Sequence, residues 1–249
     1  MTKSHSVDWH EYAQLYDHLQ ELLPYQQYLR DITAALALDS ATSLLDAGCG
    51  TGLLLKTLRA EQLRQAIAID NSSEMLVQAR SKTYSLDVQF EQQDLATVPL
   101  PYPDNSFDRI VCSNVLYTLQ NPLDTLLDFR RLAAPNGLLV IVNPKPNYDN
   151  GAILKAHAGD SRPLAFWSLT AASAKEIEGL CVEALGRERA DIFLKIGKIN
   201  AQIQSTADFH FLSESELSVL LETAGFAVET TTTTYAEQSH LIVARNLED

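Results

Sequence analysis

The chain has 249 residues, enough for one sizeable α/β core, with 46% hydrophobic and 20% charged residues, the balance of an ordinary globular protein. Its formal net charge of −13 speaks against a nucleic-acid partner or an anionic membrane face, because both need clustered Lys and Arg. Cys49, Cys112 and Cys181 are odd in number and lack metal-ligand spacing, so neither a disulfide framework nor a metal site is expected. MTKSHSVDWHEY at the start holds no apolar signal region, and no apolar run approaches the roughly 20 residues of a membrane span. A cytoplasmic protein with no membrane span is the expectation.

Residues 8–38 read as two helices split at Pro24. A regular alternation follows. Thr42 to Asp46 is strand-like, and Leu53 to Arg64 is expected to be helical, with Leu54, Leu55, Leu58 and Leu63 near one face. Gln65 to Asp70 is a second strand, and Ser72 caps a helix running to about Lys82. Val88 to Gln92 and Asp108 to Ser113 make the third and fourth strands, separated by the Pro-rich loop Leu100 to Ser106. A helix from Pro122 to Ala133 stops before the Pro135–Gly137 turn, and Leu138 to Val142 is the fifth strand. Strands alternating with helices imply a parallel sheet covered on both faces.

Residues 145–210 break the alternation. Ile177, Leu180, Cys181, Ala184 and Leu185 recur at helical spacing, as do Ile192, Phe193, Ile196, Ile199 and Ile203, which predicts a helical insertion over one end of the sheet. Ser213 and Glu216 then form a capping box, and the helix they open ends at Gly225. The last two strands, Ala227 to Tyr235 and His240 to Arg245, are joined by too short a link for anything but antiparallel pairing.

The chemistry is concentrated in LLDAGCGTGLLL, Leu44 to Leu55. In an open α/β sheet a loop after the first strand lies at the ligand crevice. The dinucleotide pattern G-x-G-x-x-G fails in either register, with Leu53 or Leu55 at the third position, and no Gly-Lys-Ser/Thr ending makes it a phosphate loop. Asp46 would repel a pyrophosphate and attract an ammonium or sulfonium. The stretch suits a cationic ligand without phosphates.

LLDAGCGTG resembles the first motif of class I S-adenosylmethionine-dependent methyltransferases. AIAIDNSSEML (Ala66 to Leu76), FEQQDLATVPLPYPDNSFDRIVCSNVLYTL (Phe90 to Leu119), LAAPNGLLVIVNP and ESELSVLLETAGF continue the likeness in order, over about two-thirds of the chain. The ubiquinone/menaquinone-biosynthesis C-methyltransferases and their small-molecule relatives are the most similar subgroup. The resemblance implies a Rossmann-like α/β fold, a doubly wound seven-stranded sheet in the order 3-2-1-4-5-7-6 with an antiparallel final pair, forming one domain over residues 1–249. It implies S-adenosylmethionine as cofactor, S-adenosylhomocysteine as product and a small-molecule substrate.

Carried over by position, it puts Asp46 and the backbone of Gly48, Gly50 and Gly52 around the methionine end. Asp70 goes to the ribose hydroxyls, Asp94 to the adenine amino group, the Leu95 N–H to the ring edge and Met75 to the adenine face. Asn114 lines the active site, and Tyr16 closes over the cofactor. The sequence carries Tyr117 where relatives often have His, which leaves the catalytic base unassigned; Tyr117, His157 and His210 are the candidates. Residues 145–210 would then be a substrate lid. A non-catalytic S-adenosylmethionine-binding protein and a nicotinamide-binding oxidoreductase are the alternatives, and monomer and homodimer both stay open.

Overall fold

The computed structural model of the protein describes residues 9–40, 42–170, 172–206 and 209–247. Helices α1 (Trp9–Tyr16) and α2 (Leu23–Ala35) come first, joined by a 3-10 turn at Asp17–Glu21. Pro24 sits in the first turn of α2, where its missing N–H costs nothing. Strands β1 (Ser43–Ala47) and β2 (Gln65–Asp70), helix α3 (Ser73–Arg80), and strands β3 (Val88–Gln92) and β4 (Phe107–Ser113) follow. Helix α4 (Pro122–Leu132) leads into β5 (Ala133–Pro144). Next come α5 (Asn150–Ala158), α6 (Leu164–Trp167), α7 (Ala174–Leu185) and α8 (Arg187–Thr206), and then α9 (Glu214–Thr223), β6 (Phe226–Thr234) and β7 (Ser239–Asn246).

The strands form one sheet in the order β3-β2-β1-β4-β5-β7-β6, the order that the family resemblance implied. The five N-terminal strands pair in parallel, and β7 lies antiparallel to both β5 and β6. All five residues of β1 are buried because helices cover both faces of a parallel sheet. On one face Leu44, Val111, Val140 and Val142 meet α2 and the α5–α8 segment. On the other, Leu45, Ile110, Ile141 and Ile242 meet α4 and α9. Strand order reverses between β1 and β4, so their carboxyl ends open the crevice in which such sheets bind ligands.

Two sequence expectations need correction. The helix expected over Leu53–Arg64 is instead two 3-10 turns, Leu55–Thr57 and Ala60–Gln62. Leu53, Leu54, Leu55 and Leu58 are all buried, so they do not form the single apolar stripe of a surface helix, and Leu58 turns to extended backbone. The Pro135–Gly137 turn does not precede the fifth strand but interrupts it. Ala133 already pairs with Phe107, Leu138 with Arg109, and the residues between bulge out at Asn136, whose φ is +61°.

The final hairpin reaches back to the N-terminal helices. The Thr234 hydroxyl donates to Asp31 Oδ2 at 2.6 Å. The Tyr235 ring packs on Tyr25 and Tyr28 of α2, with centroids 5.7 and 5.4 Å apart.

Candidate functional site

The glycine loop leaves β1 and is fixed at once to its neighbour, because the N–H groups of Gly48 and Cys49 both donate to the Ile69 carbonyl, at 2.8 and 2.9 Å. Gly48, Gly50 and Gly52 have φ of +82°, +53° and +78°. Their surroundings divide them. A methyl group on Gly48 would overlap Val115, and one on Gly52 would overlap the Tyr84 hydroxyl, so both are glycine for close packing. At Gly50 the same methyl would meet nothing, and this is where the loop backbone faces open space.

Two carboxylates flank that opening. Asp70, at the end of β2, accepts from Gly50 N–H through Oδ2 at 2.8 Å and from Ser72 N–H through Oδ1 at 2.9 Å. Burial raises its pKa against the effect of those two bonds. Asp46, in β1, is 2% exposed, and its Oδ2 has no hydrogen-bond partner. Burial, and then the charge of Asp70, push its pKa up to about 7. A buried and a half-buried carboxylate beside one opening form a site suited to positive charge.

Asn114 follows β4 with φ of +57°; its N–H is taken by the Val142 carbonyl, and its Oδ1 is a second buried oxygen without a partner. These orphaned oxygens, with the open backbone at Gly50, fit a ligand that brings donors and a cation, as the methionine end of S-adenosylmethionine does.

Around this centre the predicted residues separate. Met75 is buried among Tyr12, Ala13, Ile196 and Ile199, under α1 and α8. Leu95 is buried in the core on the face of the sheet that α4 and α9 cover, and its carbonyl accepts from the Thr125 hydroxyl at 2.9 Å. Asp94 lies exposed beyond β3 and accepts from Ala96 N–H through Oδ1, a contact local to its own turn. Tyr16 stands edge-on to Tyr12, with ring centroids 5.5 Å apart. Burial, followed by the charges of Asp70 and Asp17, keeps the Tyr16 phenol protonated well past neutrality.

Of the three base candidates, Tyr117 and His210 lie side by side and His157 lies apart, at the start of α2. Tyr117 stacks on Phe211 at 5.3 Å and meets Phe209 edge-on at 5.1 Å; burial and then Tyr16 push its phenol up to about 12. His157 Nδ1 accepts from Leu23 N–H at 3.2 Å, which engages it as a cap on the start of α2. Burial and Arg189 lower its pKa, consistent with a neutral ring. His210 is exposed, and its backbone N–H donates to the Tyr117 carbonyl at 2.7 Å.

Sequence reasoning missed Ser113, whose Oγ shares a short hydrogen bond with the Tyr28 hydroxyl, and Lys82, which reaches the glycine loop. Neither has a local motif; folding alone brings positions 28 and 113 together. Among the described residues no helix is long and apolar enough to cross a membrane.

Comparison with known proteins places the chain in a family. The pattern described as "Methyltransferase domain" matches residues 16–231. The chain is 33% identical over 135 residues to the malonyl-[acyl-carrier protein] O-methyltransferase of Halalkalibacterium halodurans, covering 51% of this chain and 50% of that one. To the demethylmenaquinone methyltransferase of Staphylococcus epidermidis it is 26% identical over 134 residues, 51% of this chain and 55% of the other. The chain thus spans about half the length of these two relatives. A SAM-dependent methyltransferase structure from Aquifex aeolicus superposes with a TM-score of 0.58 at 18% identity, over 95% of this chain and 98% of that one, a likeness of fold. The family match over most of the chain, carried on a sheet of this strand order with its glycine loop at the switch point, identifies the protein as a member of the methyltransferase-domain family.

Proposed function

We propose that the protein is an S-adenosylmethionine-dependent methyltransferase acting on an O, N or C nucleophile of a small molecule. The observation that carries this reading is the pair Asp46 and Asp70, two carboxylates drawn out of solvent beside the open backbone of Gly50. A phosphate-bearing dinucleotide would be repelled there, whereas the ammonium and sulfonium of the donor are attracted.

When bound, S-adenosylmethionine supplies a methyl group already activated on sulfur. The chain's residues then have to hold the reactants in line, an alignment that contributes about 7–11 kcal/mol in well-oriented systems. Asp46 and Asn114 offer their free oxygens to the donor's amino acid end. Asp70 keeps a lone pair on each oxygen for the ribose hydroxyls, beyond the two bonds it already accepts. Asp94 and the Leu95 N–H would meet the adenine edge, and Met75 its face. Tyr16 would close the site over the donor from the end of α1.

The acceptor would enter at the carboxyl end of β4, where Asn114 and Tyr117 sit, under a lid formed by α5–α8. Tyr117 is protonated at neutral pH and has weak power to remove a proton. An acceptor that ionises or presents a free lone pair without help fits this wall best. The two relatives named above act on different acceptors, a malonyl-carrier protein and a demethylmenaquinone, so kinship alone selects neither. The net charge of −13 favours a small molecule over a nucleic acid.

Thermal shift with S-adenosylmethionine, S-adenosylhomocysteine, NAD and FAD tests the donor. A ligand at 100 times its dissociation constant adds about 2.7 kcal/mol. Stabilisation by both adenosyl ligands is expected; stabilisation by NAD alone would overturn the reading. Formation of S-adenosylhomocysteine with a candidate acceptor separates an enzyme from a protein that only binds the donor.

A further inference from the structure

Thr51, between the second and third glycines, is 1% exposed and held at both of its polar ends by charges from outside the loop. Its hydroxyl donates to Asp17 Oδ1 at 2.5 Å. Its carbonyl accepts from Lys82 Nζ at 2.6 Å. Lys82 and Asp17 complete the triangle as an ion pair, Nζ to Oδ2 2.8 Å, with side chains only 11% and 27% exposed. Asp17 opens the turn after α1, and Lys82 lies two residues past α3. Tyr84, from the same stretch as Lys82, packs on Gly52 and donates its hydroxyl to the Ala79 carbonyl. The loop is therefore buttressed from behind by residues 82–84 and gripped from above by Asp17.

We propose that Asp17 and Lys82 are positioning residues for donor binding: their charge pair grips Thr51 and holds the glycine loop in the shape that presents the Gly50 backbone to the ligand. The proposal rests on the donor reading above. Glycines at positions 48, 50 and 52 give the loop many backbone conformations, and a loop free to sample them would bind the donor only in a fraction of its states. Neither Asp17 nor Lys82 is needed to touch the ligand. They act through Thr51, whose hydroxyl and carbonyl are both committed to the pair. Charge-assisted bonds with little exposure are the strong kind, which suits a fastening rather than a surface decoration. The same turn carries Tyr16 at its start, so docking the turn and shaping the loop become one event.

The test measures S-adenosylhomocysteine affinity by calorimetry, with thermal stability recorded beside it, for wild type and for D17N, T51V, T51S and S213A. T51V removes the donated hydroxyl and T51S keeps it; S213A removes the remote α9 cap and controls for lost stability. D17N and T51V should weaken binding about tenfold or more, with T51S within about twofold of wild type and S213A unchanged. Faster amide exchange at Gly50 and Gly52 in ligand-free T51V than in wild type should accompany the loss.

Binding by D17N and T51V within about twofold of wild type overturns the proposal, as does a loss in S213A as large as theirs. If D17N does not fold, the T51V and T51S comparison decides alone. Wild-type protein that binds no S-adenosylhomocysteine overturns the donor reading itself, while the amide-exchange comparison still reports on the grip.

Discussion

Gly50 N–H donates to Asp70 Oδ2 at 2.8 Å, so the middle of the glycine loop is tied directly to the end of β2. The other oxygen of the same carboxylate takes the N–H of Ser72, at the N-cap of α3. One side chain therefore shapes the loop, starts a helix and presents negative charge to the opening. Asp70→Ala should lower S-adenosylhomocysteine affinity by about tenfold or more, from loss of bonds worth about 1.5–3 kcal/mol each, and should also lower the melting temperature. Calorimetry and thermal melts read the two effects separately; unchanged affinity would remove Asp70 from the ligand.

Asp46 gives a pH signature. An ordinary aspartate titrates near 3.8 and Asp46 in the fold near 7, so the folded state holds the proton more tightly than the unfolded chain does. Below the unfolded value this favours the fold fully; as pH rises from there through about 7 the advantage is lost. The ligand-free wild type should therefore lose stability relative to Asp46→Asn over that window. Donor affinity should move the opposite way, rising as Asp46 ionises to meet a cation. Melting curves and calorimetry across the range check both, and parallel wild-type and variant curves would contradict the assignment.

The glycines should respond differently to a single methyl group. Gly50→Ala places it in open space, so the cost to the fold is the left-handed backbone alone, about 1–2 kcal/mol, while the ligand meets an obstacle. Gly52→Ala drives the methyl into Tyr84 and should cost more stability. Affinity falling more than stability at Gly50, with stability falling further at Gly52, is the expected pattern in melts and calorimetry.

His157 offers the reverse case. Its Nδ1 accepts an N–H that the first turn of α2 would otherwise leave unpaired. His157→Ala should cost about 1 kcal/mol of stability, the usual scale for a lost cap, and leave donor affinity and turnover unchanged. A turnover loss without a stability loss would return His157 to the candidate bases.

The succession of strands and helices was legible because its causes are local, whereas the order of the strands in the sheet came only with the family resemblance. Ile67, Ala68 and Ile69 form an apolar run, Ser72 is a cap, and the link from Tyr235 to Ser239 is too short to cross the sheet. The glycine loop was legible too, since its spacing alone rejects a dinucleotide. What was not legible depends on packing from both sides. Leu53 to Leu58 has helical spacing, yet every leucine in it is buried, and the chain turns in 3-10 steps instead. The grip on Thr51 was hidden for another reason: Asp17 and Lys82 are ordinary surface residue types until folding brings positions 17, 51 and 82 together. For the same reason sequence spacing could not separate the one glycine that faces open space from the two that pack.

The bond from Thr234 to Asp31 spans 203 residues of sequence, and Tyr235 closes the ring stack on Tyr25 and Tyr28. These contacts make the β6–β7 edge a remote lever on α2. A change that frays the hairpin there would loosen α2 and, with it, the turn that carries Asp17 to the glycine loop.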